Sequence, residues 1–104
     1  MSKTITSANF KEEVLNSGKP ILVDFFSKNC GPCRMLAPVL DQIAEDNTDF
    51  YVGKVCVDDE MPLAIEFSVS VVPTLLIFKN GECVEKFTAY RNKEEILEIM
   101  KNFI

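Results

Sequence analysis

Asn29-Cys30-Gly31-Pro32-Cys33-Arg34 sets two thiols three residues apart. Such a pair is either a dithiol–disulfide redox couple or half of a metal site. With Cys56 and Cys83, the chain holds four cysteines, enough for a four-thiolate zinc or iron–sulfur site. Zinc ribbons present two close pairs in loops, however, whereas Cys56 and Cys83 fall singly in strand-like segments, where small buried hydrophobes are the default. The sequence has no histidine, which removes His-assisted nucleophiles, His general acids and mixed Cys–His zinc sites. A cysteine at the first turn of a helix faces unsatisfied N–H groups and the positive end of the helix dipole. Both favour thiolate over thiol, so Cys30 is expected to be the attacking sulfur. Cys33, one turn deeper on the same helical face, is then placed to attack a mixed disulfide at Cys30 and release the reduced substrate. Gly31 lets another chain come close, and Pro32 fixes the turn at the helix start.

Two charged residues stand where charge is expensive. Asp24 interrupts Ile21-Leu22-Val23-Asp24-Phe25-Phe26, so burial should raise its pKa. A carboxyl of that kind beneath the thiols could take the proton from Cys33; the competing reading is a structural hydrogen bond to loop backbone. Lys54 lies in a second apolar stretch, where an unpaired ammonium would be costly unless its side chain snorkels to solvent.

These residues need strands and helices to hold them. Residues 4–6 suggest a short edge strand. A helical pattern follows from Ser7, with Phe10, Val14 and Leu15 on one stripe, Asn9 and Glu12 as a cap, and Gly18 and Pro20 as the stop. Ile21–Phe26 is a strand apolar on both faces. A helix over about 33–46 turns Leu36, Val39, Leu40 and Ile43 inward and contains Pro38, which removes one backbone bond. Residues 50–57 form another buried strand, ended by Asp58-Asp59-Glu60; Pro62 starts a short helix through Phe67. Residues 74–78 make a third apolar strand. Asn80-Gly81 turns it back into an antiparallel strand over 82–88. Asn92 and Glu95, at capping-box spacing, open a last helix with Ile96, Leu97, Met100 and Phe103 on its apolar stripe. The order βα, βα, βα, ββα gives an α/β sandwich: a mostly parallel sheet with an antiparallel edge and helices on both faces.

Bulk properties narrow the function further. A chain of 104 residues builds one core, so residues 1–104 are expected to be a single domain. A net charge of −5 with no basic cluster argues against nucleic-acid and anionic-membrane partners. The amino-terminal residues lack an apolar signal core, and no run is long enough to span a bilayer, which points to the cytoplasm. In that reducing compartment a close cysteine pair serves as catalyst or ligand rather than staple.

Taken in this order, the motifs strongly resemble the thioredoxin family. The resemblance rests on Cys30-Gly31-Pro32-Cys33 after Val23-Asp24-Phe25 and before Met35-Leu36-Ala37-Pro38. It continues through Lys54 ahead of Val57-Asp58, Val72-Pro73-Thr74-Leu75, and Phe78-Lys79-Asn80-Gly81, spanning nearly the whole chain. It implies a thioredoxin fold: a mixed five-stranded sheet of order 1-3-2-4-5 and four helices in a three-layer α/β/α sandwich. It also implies protein-disulfide reduction with no cofactor beyond the Cys30–Cys33 disulfide. The partners it implies are disulfide-bearing clients and a flavin-containing thioredoxin reductase drawing on NADPH or ferredoxin, with the protein acting as a monomer. By the same resemblance Asp24 transfers the proton, Lys54 tunes Asp24, and Pro73 is a cis-proline that turns the Val72 backbone toward an extended substrate. The substrate surface would then comprise Asn29, Gly31, Pro32, Val72, Pro73, Thr88 and Ala89. Gly-Pro between the cysteines resembles the reducing members, where oxidants and isomerases more often carry His. Two features depart from the pattern. Asn29 stands where the family usually has Trp, with Phe26 at a second habitual Trp position. Phe87-Thr88-Ala89-Tyr90 lacks the usual loop glycine. The missing tryptophan keeps one rival open, a binding subunit on the same fold with a narrower range of partners.

Overall fold

The structure is a computed structural model and describes residues 2–104. Its sheet has five strands, β1 (Lys3–Thr4), β2 (Ile21–Phe26), β3 (Tyr51–Cys56), β4 (Thr74–Lys79) and β5 (Glu82–Thr88), in the order β1-β3-β2-β4-β5. β3 runs parallel to both β1 and β2, whereas β4 is antiparallel to β2 and β5 to β4. Four helical segments flank the sheet: a π-helical turn at Lys11–Leu15, then α1 (Gly31–Asp46), α2 (Met61–Glu66) and α3 (Lys93–Met100). This is the expected α/β arrangement and strand order.

Strand parity sorts the side chains into two layers. Ile21, Val23 and Phe25 of β2 join Val55, Leu76 and Phe78 against Phe10 and Val14 of the first helical segment and Leu63 and Ala64 of α2. Phe67 completes that layer with a T-shaped contact to Phe78, ring centroids 5.3 Å apart. Leu22 points the other way, with Val52, Leu75 and Ile77, onto Leu36, Leu40 and Ile43 of α1 and Ile96 and Met100 of α3. Asp24 has the parity of Leu22, so it too faces α1.

Several local expectations change. Asn9 does not cap forward: its side-chain oxygen accepts from Thr6 N at 2.8 Å and its amide donates to Thr4 O at 2.9 Å. The helical turn therefore starts at Phe10 with no side-chain cap. α1 begins at Gly31, two residues before the expected start, because Cys30 itself is the N-cap, with Pro32 in the first turn. The second long strand is Tyr51–Cys56, shorter than 50–57 at both ends, although Val57 N still donates to Phe26 O at 2.8 Å. α3 stops at Met100, and the chain leaves it in turns. Cys83 is exposed and Cys56 half-buried, so neither is the fully buried packing residue its strand suggested. β5 is an edge strand that buries Phe87 alone, which leaves Cys83 facing water.

Other signals agree with the structure. Asn80 and Gly81, at φ 54° and 81°, form the two-residue hairpin loop between Lys79 and Glu82. Asn92 and Glu95 form the reciprocal capping box. Ala89 has φ 72°, the left-handed region that costs a residue with a Cβ roughly 1–2 kcal/mol. Its N–H donates to Pro73 O at 3.1 Å, which fixes the loop in that conformation. Replacing Ala89 by Gly relieves the clash but loosens the unfolded chain by about 0.4–1 kcal/mol. Ala89→Gly is expected to stabilise the protein by up to about 1 kcal/mol in urea unfolding; a loss of stability would contradict this account of the loop.

Candidate active site

β2 ends at Phe26, and the chain needs only four residues to reach the start of α1 at Gly31. Cys30 therefore sits at the junction of a central strand and a helix N-terminus. Its backbone is extended (φ −124°, ψ 113°), and its sulfur accepts a hydrogen bond from Cys33 N at 3.2 Å. The two cysteines are joined as a disulfide. Cys30 is 8% exposed and Cys33 only 4%, so the first residue is the more accessible of two buried ones. A thiolate released at Cys30 by reduction lies at the positive end of α1 and can accept from the Cys33 amide.

The loop that carries Cys30 is held by a carboxylate the sequence did not single out. One oxygen of Asp58, just past β3, accepts from Lys28 N at 2.9 Å and from Ser27 Oγ at 3.1 Å. The Lys28 backbone hydrogen bond, then that of Ser27, holds the Asp58 carboxyl below the usual range. The Cys56 thiol points at the same oxygen from 3.8 Å. Lys28 Nζ meets Asp59 at 3.1 Å. Asp58 had entered only as a strand end and as part of the Val57-Asp58 motif; nothing in the sequence pairs it with a loop some 30 residues earlier.

Asp24 lies beneath the cysteines. It is 2% exposed, and its Oδ1 has no hydrogen-bond partner. A cavity of about 180 Å³ joins it to Cys33, with Phe26, Ser27, Lys28, Arg34, Ala37 and Lys54 as the remaining walls. Burial pushes the Asp24 carboxyl up to about 7, against the attraction of Lys54, which acts to lower it. Asp24 Oδ1 thus makes no hydrogen bond to loop backbone. The walls are mostly apolar, but Asp24, Ser27, Lys28 and Lys54 offer polar partners, and a volume of that size has room for a water through which Cys33 and Asp24 could exchange a proton.

Lys54 is opposite Asp24 in the β2–β3 register, yet Asp24 takes part in none of the ion pairs among the described residues. Lys54 Nζ instead meets Asp41 of α1 at 3.1 Å, and Ser2 Oγ donates to the same Asp41 oxygen at 2.8 Å. Lys54 thus lines the Asp24 cavity, while its ammonium ends at a half-exposed acid.

The remaining site residues converge from the other edge. The Val72-Pro73 peptide is cis. Thr74 pairs with Phe25 on β2 and with Thr88 on β5, and Pro73 O accepts from Ala89. Val72, Pro73, Thr88 and Ala89 thus meet at the end of the sheet from which the cysteine loop departs. Asn29, Gly31, Pro32, Thr88 and Ala89 are exposed, Val72 half-buried and Pro73 buried. A Cβ at Gly31 would meet nothing within 4 Å, so the fold itself does not require glycine there. The four cysteines do not gather. Cys56 and Cys83 lie on β3 and β5, with β2 and β4 between them, and no group of three or more potential metal ligands occurs among the described residues.

The thioredoxin family model matches residues 1–102. The chain belongs to the thioredoxin family. Thioredoxin of Pyropia yezoensis is 41% identical to it over 101 residues, covering 96% of this chain and 94% of its own. Thioredoxin of Mycobacterium bovis is also 41% identical over 101 residues, 96% of this chain and 87% of its own. Mitochondrial thioredoxin of Mus musculus is 39% identical over 97 residues, 92% of this chain and 58% of its own. This thioredoxin-family protein is a protein-disulfide oxidoreductase, a thiol–disulfide carrier with Cys30–Cys33 as its active-site pair. Membership implies disulfide-bearing client proteins and a thioredoxin reductase. No helix among the described residues is long and apolar enough to cross a membrane.

The raised Asp24 pKa has a thermodynamic consequence with a definite sign. Between pH 3.8 and about 7 the unfolded chain releases the Asp24 proton and the folded one keeps it, so folding stability falls as pH rises. The penalty is absent below that window and complete above it, on the order of 4 kcal/mol for a shift of this size. Asp24→Asn removes it. The variant is expected to gain stability relative to the parent as pH rises from 4 to 7, measured by denaturant unfolding. An equal difference at both ends of that range would contradict the assignment.

Proposed function

We propose that this protein reduces client disulfides through Cys30 as nucleophile and Cys33 as resolving thiol, with Asp24 as the base that serves Cys33. The Cys30 thiolate attacks a client disulfide, forming a Cys30–client bond and expelling one client sulfur as thiolate, which takes up a proton. Asp24 accepts the Cys33 proton, and the Cys33 thiolate attacks Cys30 Sγ. The second client sulfur leaves as thiolate and is protonated in turn. Two electrons and two protons pass to the client, and Cys30–Cys33 is left oxidised. What supports this reading is the cavity lined by both Cys33 and the buried Asp24, whose Oδ1 has no hydrogen-bond partner.

Lys54, attracted to Asp24 across the same cavity, tunes that base. Asn29, Gly31, Pro32, Val72, Pro73, Thr88 and Ala89 form the surface that meets an extended client segment, which pairs with the Val72 backbone. With Asn29 rather than an aromatic residue before Cys30, that surface offers less apolar area and so favours fewer clients. A flavin-containing thioredoxin reductase, drawing on NADPH or ferredoxin, returns the disulfide to the dithiol. Residues 1–104 act as a single thioredoxin domain, a cytoplasmic monomer that needs no cofactor beyond its own disulfide. The rival reading, a binding subunit with incidental thiols, predicts no turnover.

Insulin reduction with dithiothreitol as electron source separates the two, and activity is expected. Cys30→Ser is expected to abolish it, whereas Cys33→Ser should accumulate a mixed disulfide visible as a mass increase on non-reducing analysis. Turnover by Cys30→Ser would overturn the assignment of the nucleophile.

A further inference from the structure

Asp24 and Lys54 face each other across the β2–β3 register and share one cavity, but the ammonium is paired elsewhere. Its partner, Asp41, lies two turns of α1 beyond Cys33 and is itself anchored by Ser2 Oγ. Partial burial alone would raise the Asp41 carboxyl; the hydrogen bonds from Ser2 and Lys54 outweigh it and hold the group below the usual range. Asp41 is therefore an anion throughout the pH range in which Asp24 titrates. Two carboxylates compete for one lysine. The lysine has a flexible four-carbon stem and three donors, so it can serve either. The half-exposed acid holds it, and the buried acid keeps an unpartnered oxygen.

We propose that Asp41 is a positioning residue for the dithiol reaction: by pairing with Lys54 it holds the ammonium off Asp24 and keeps that carboxylate a strong enough base for Cys33. The proposal deepens the reading of Asp24 as the base and rests on it for its effect on rate. The groups that face Asp24 from the surrounding elements are Lys54 of β3, Cys33 and Arg34 of α1, and Lys28 of the cysteine loop. Lys28 is engaged by Asp59, and Arg34 points toward Lys28 O, 3.5 Å away. Lys54 is thus the cation that losing Asp41 sets free. A released ammonium moving toward Asp24 stabilises its charged form, which lowers its pKa and weakens it as a base.

The test is a carbon-13 NMR titration of the Asp24 side-chain carboxyl in the oxidised protein, for the parent, Asp41→Asn, Lys54→Met and the double variant. Asp41→Ala serves as a second variant, should Asn retain the contact with Lys54. In Asp41→Asn the Asp24 midpoint is expected to fall by about one pH unit. In the Lys54→Met background the same substitution is expected to leave the midpoint where Lys54→Met alone puts it. An unmoved or raised midpoint in both single Asp41 variants would overturn the proposal. An equal downward shift with Lys54 absent would also overturn it, since Asp41 would then act directly through its charge. The rate of mixed-disulfide resolution should follow, its pH inflection moving downward with the midpoint and its plateau dropping. If Asp24→Asn leaves the resolution profile of the parent unchanged, the base reading fails, while the titration still decides the placement of Lys54.

Discussion

Asp24 is a carboxylate in the middle of a central strand, 2% exposed and with one oxygen unpartnered, in a protein whose stability would gain from almost any apolar residue there. The surrounding strand, Ile21 to Phe25, is fully buried. Its parity alternates large side chains between the two core layers and leaves this single polar group on the α1 face. The remainder of the site is placed around that residue. α1 begins where the chain emerges above it, and Cys33, buried in the first turn of α1, reaches the same cavity. The central sheet is thus both scaffold and part of the candidate site: the strand that anchors the core carries the acid, and the loop that leaves it carries the thiols.

The two ends of the site are held by different means. The cysteine loop is tied to the chain after β3 by Asp58, which binds Ser27 and Lys28, and by the backbone bond from Val57 to Phe26. The other edge of the candidate site is set by strand pairing, since the register from β2 through β4 to β5 brings Val72-Pro73 and Thr88-Ala89 to the same end of the sheet. Ala89 adopts a left-handed conformation there, and its amide binds Pro73 O. Neither set of restraints involves the disulfide.

The sequence made local features with strong stereochemical causes legible. Asn80-Gly81 fitted a two-residue turn with positive φ at both positions, and the returning strand has the expected bounds, Glu82–Thr88. The Asn92/Glu95 capping box, the buried Ile21–Phe26 strand and Asp24 as an anomaly within it were equally readable. Features that depend on which distant segment lies alongside were not. Asn9 has a helix-cap composition, but its amide finds better partners in Thr4 and Thr6. Cys83 looked like a packing residue because strand patterns do not say which strand is the edge. Asp41 and Asp58 sat among other surface acids, and only the fold brings them to Lys54 and to the cysteine loop.

That the Asp24 carboxylate takes the proton from Cys33 is most directly tested by the pH dependence of mixed-disulfide resolution. A client disulfide captured on Cys30 would be followed by rapid mixing from pH 5 to 9, for the parent and for Asp24→Asn. For the parent the rate should rise with pH through an inflection near 7, where Asp24 ionises. For Asp24→Asn that inflection should vanish, and resolution at neutral pH should slow by about a hundredfold, the lower range for loss of a general base. Superimposable profiles for the two proteins would show that Cys33 loses its proton without Asp24 and would contradict the account.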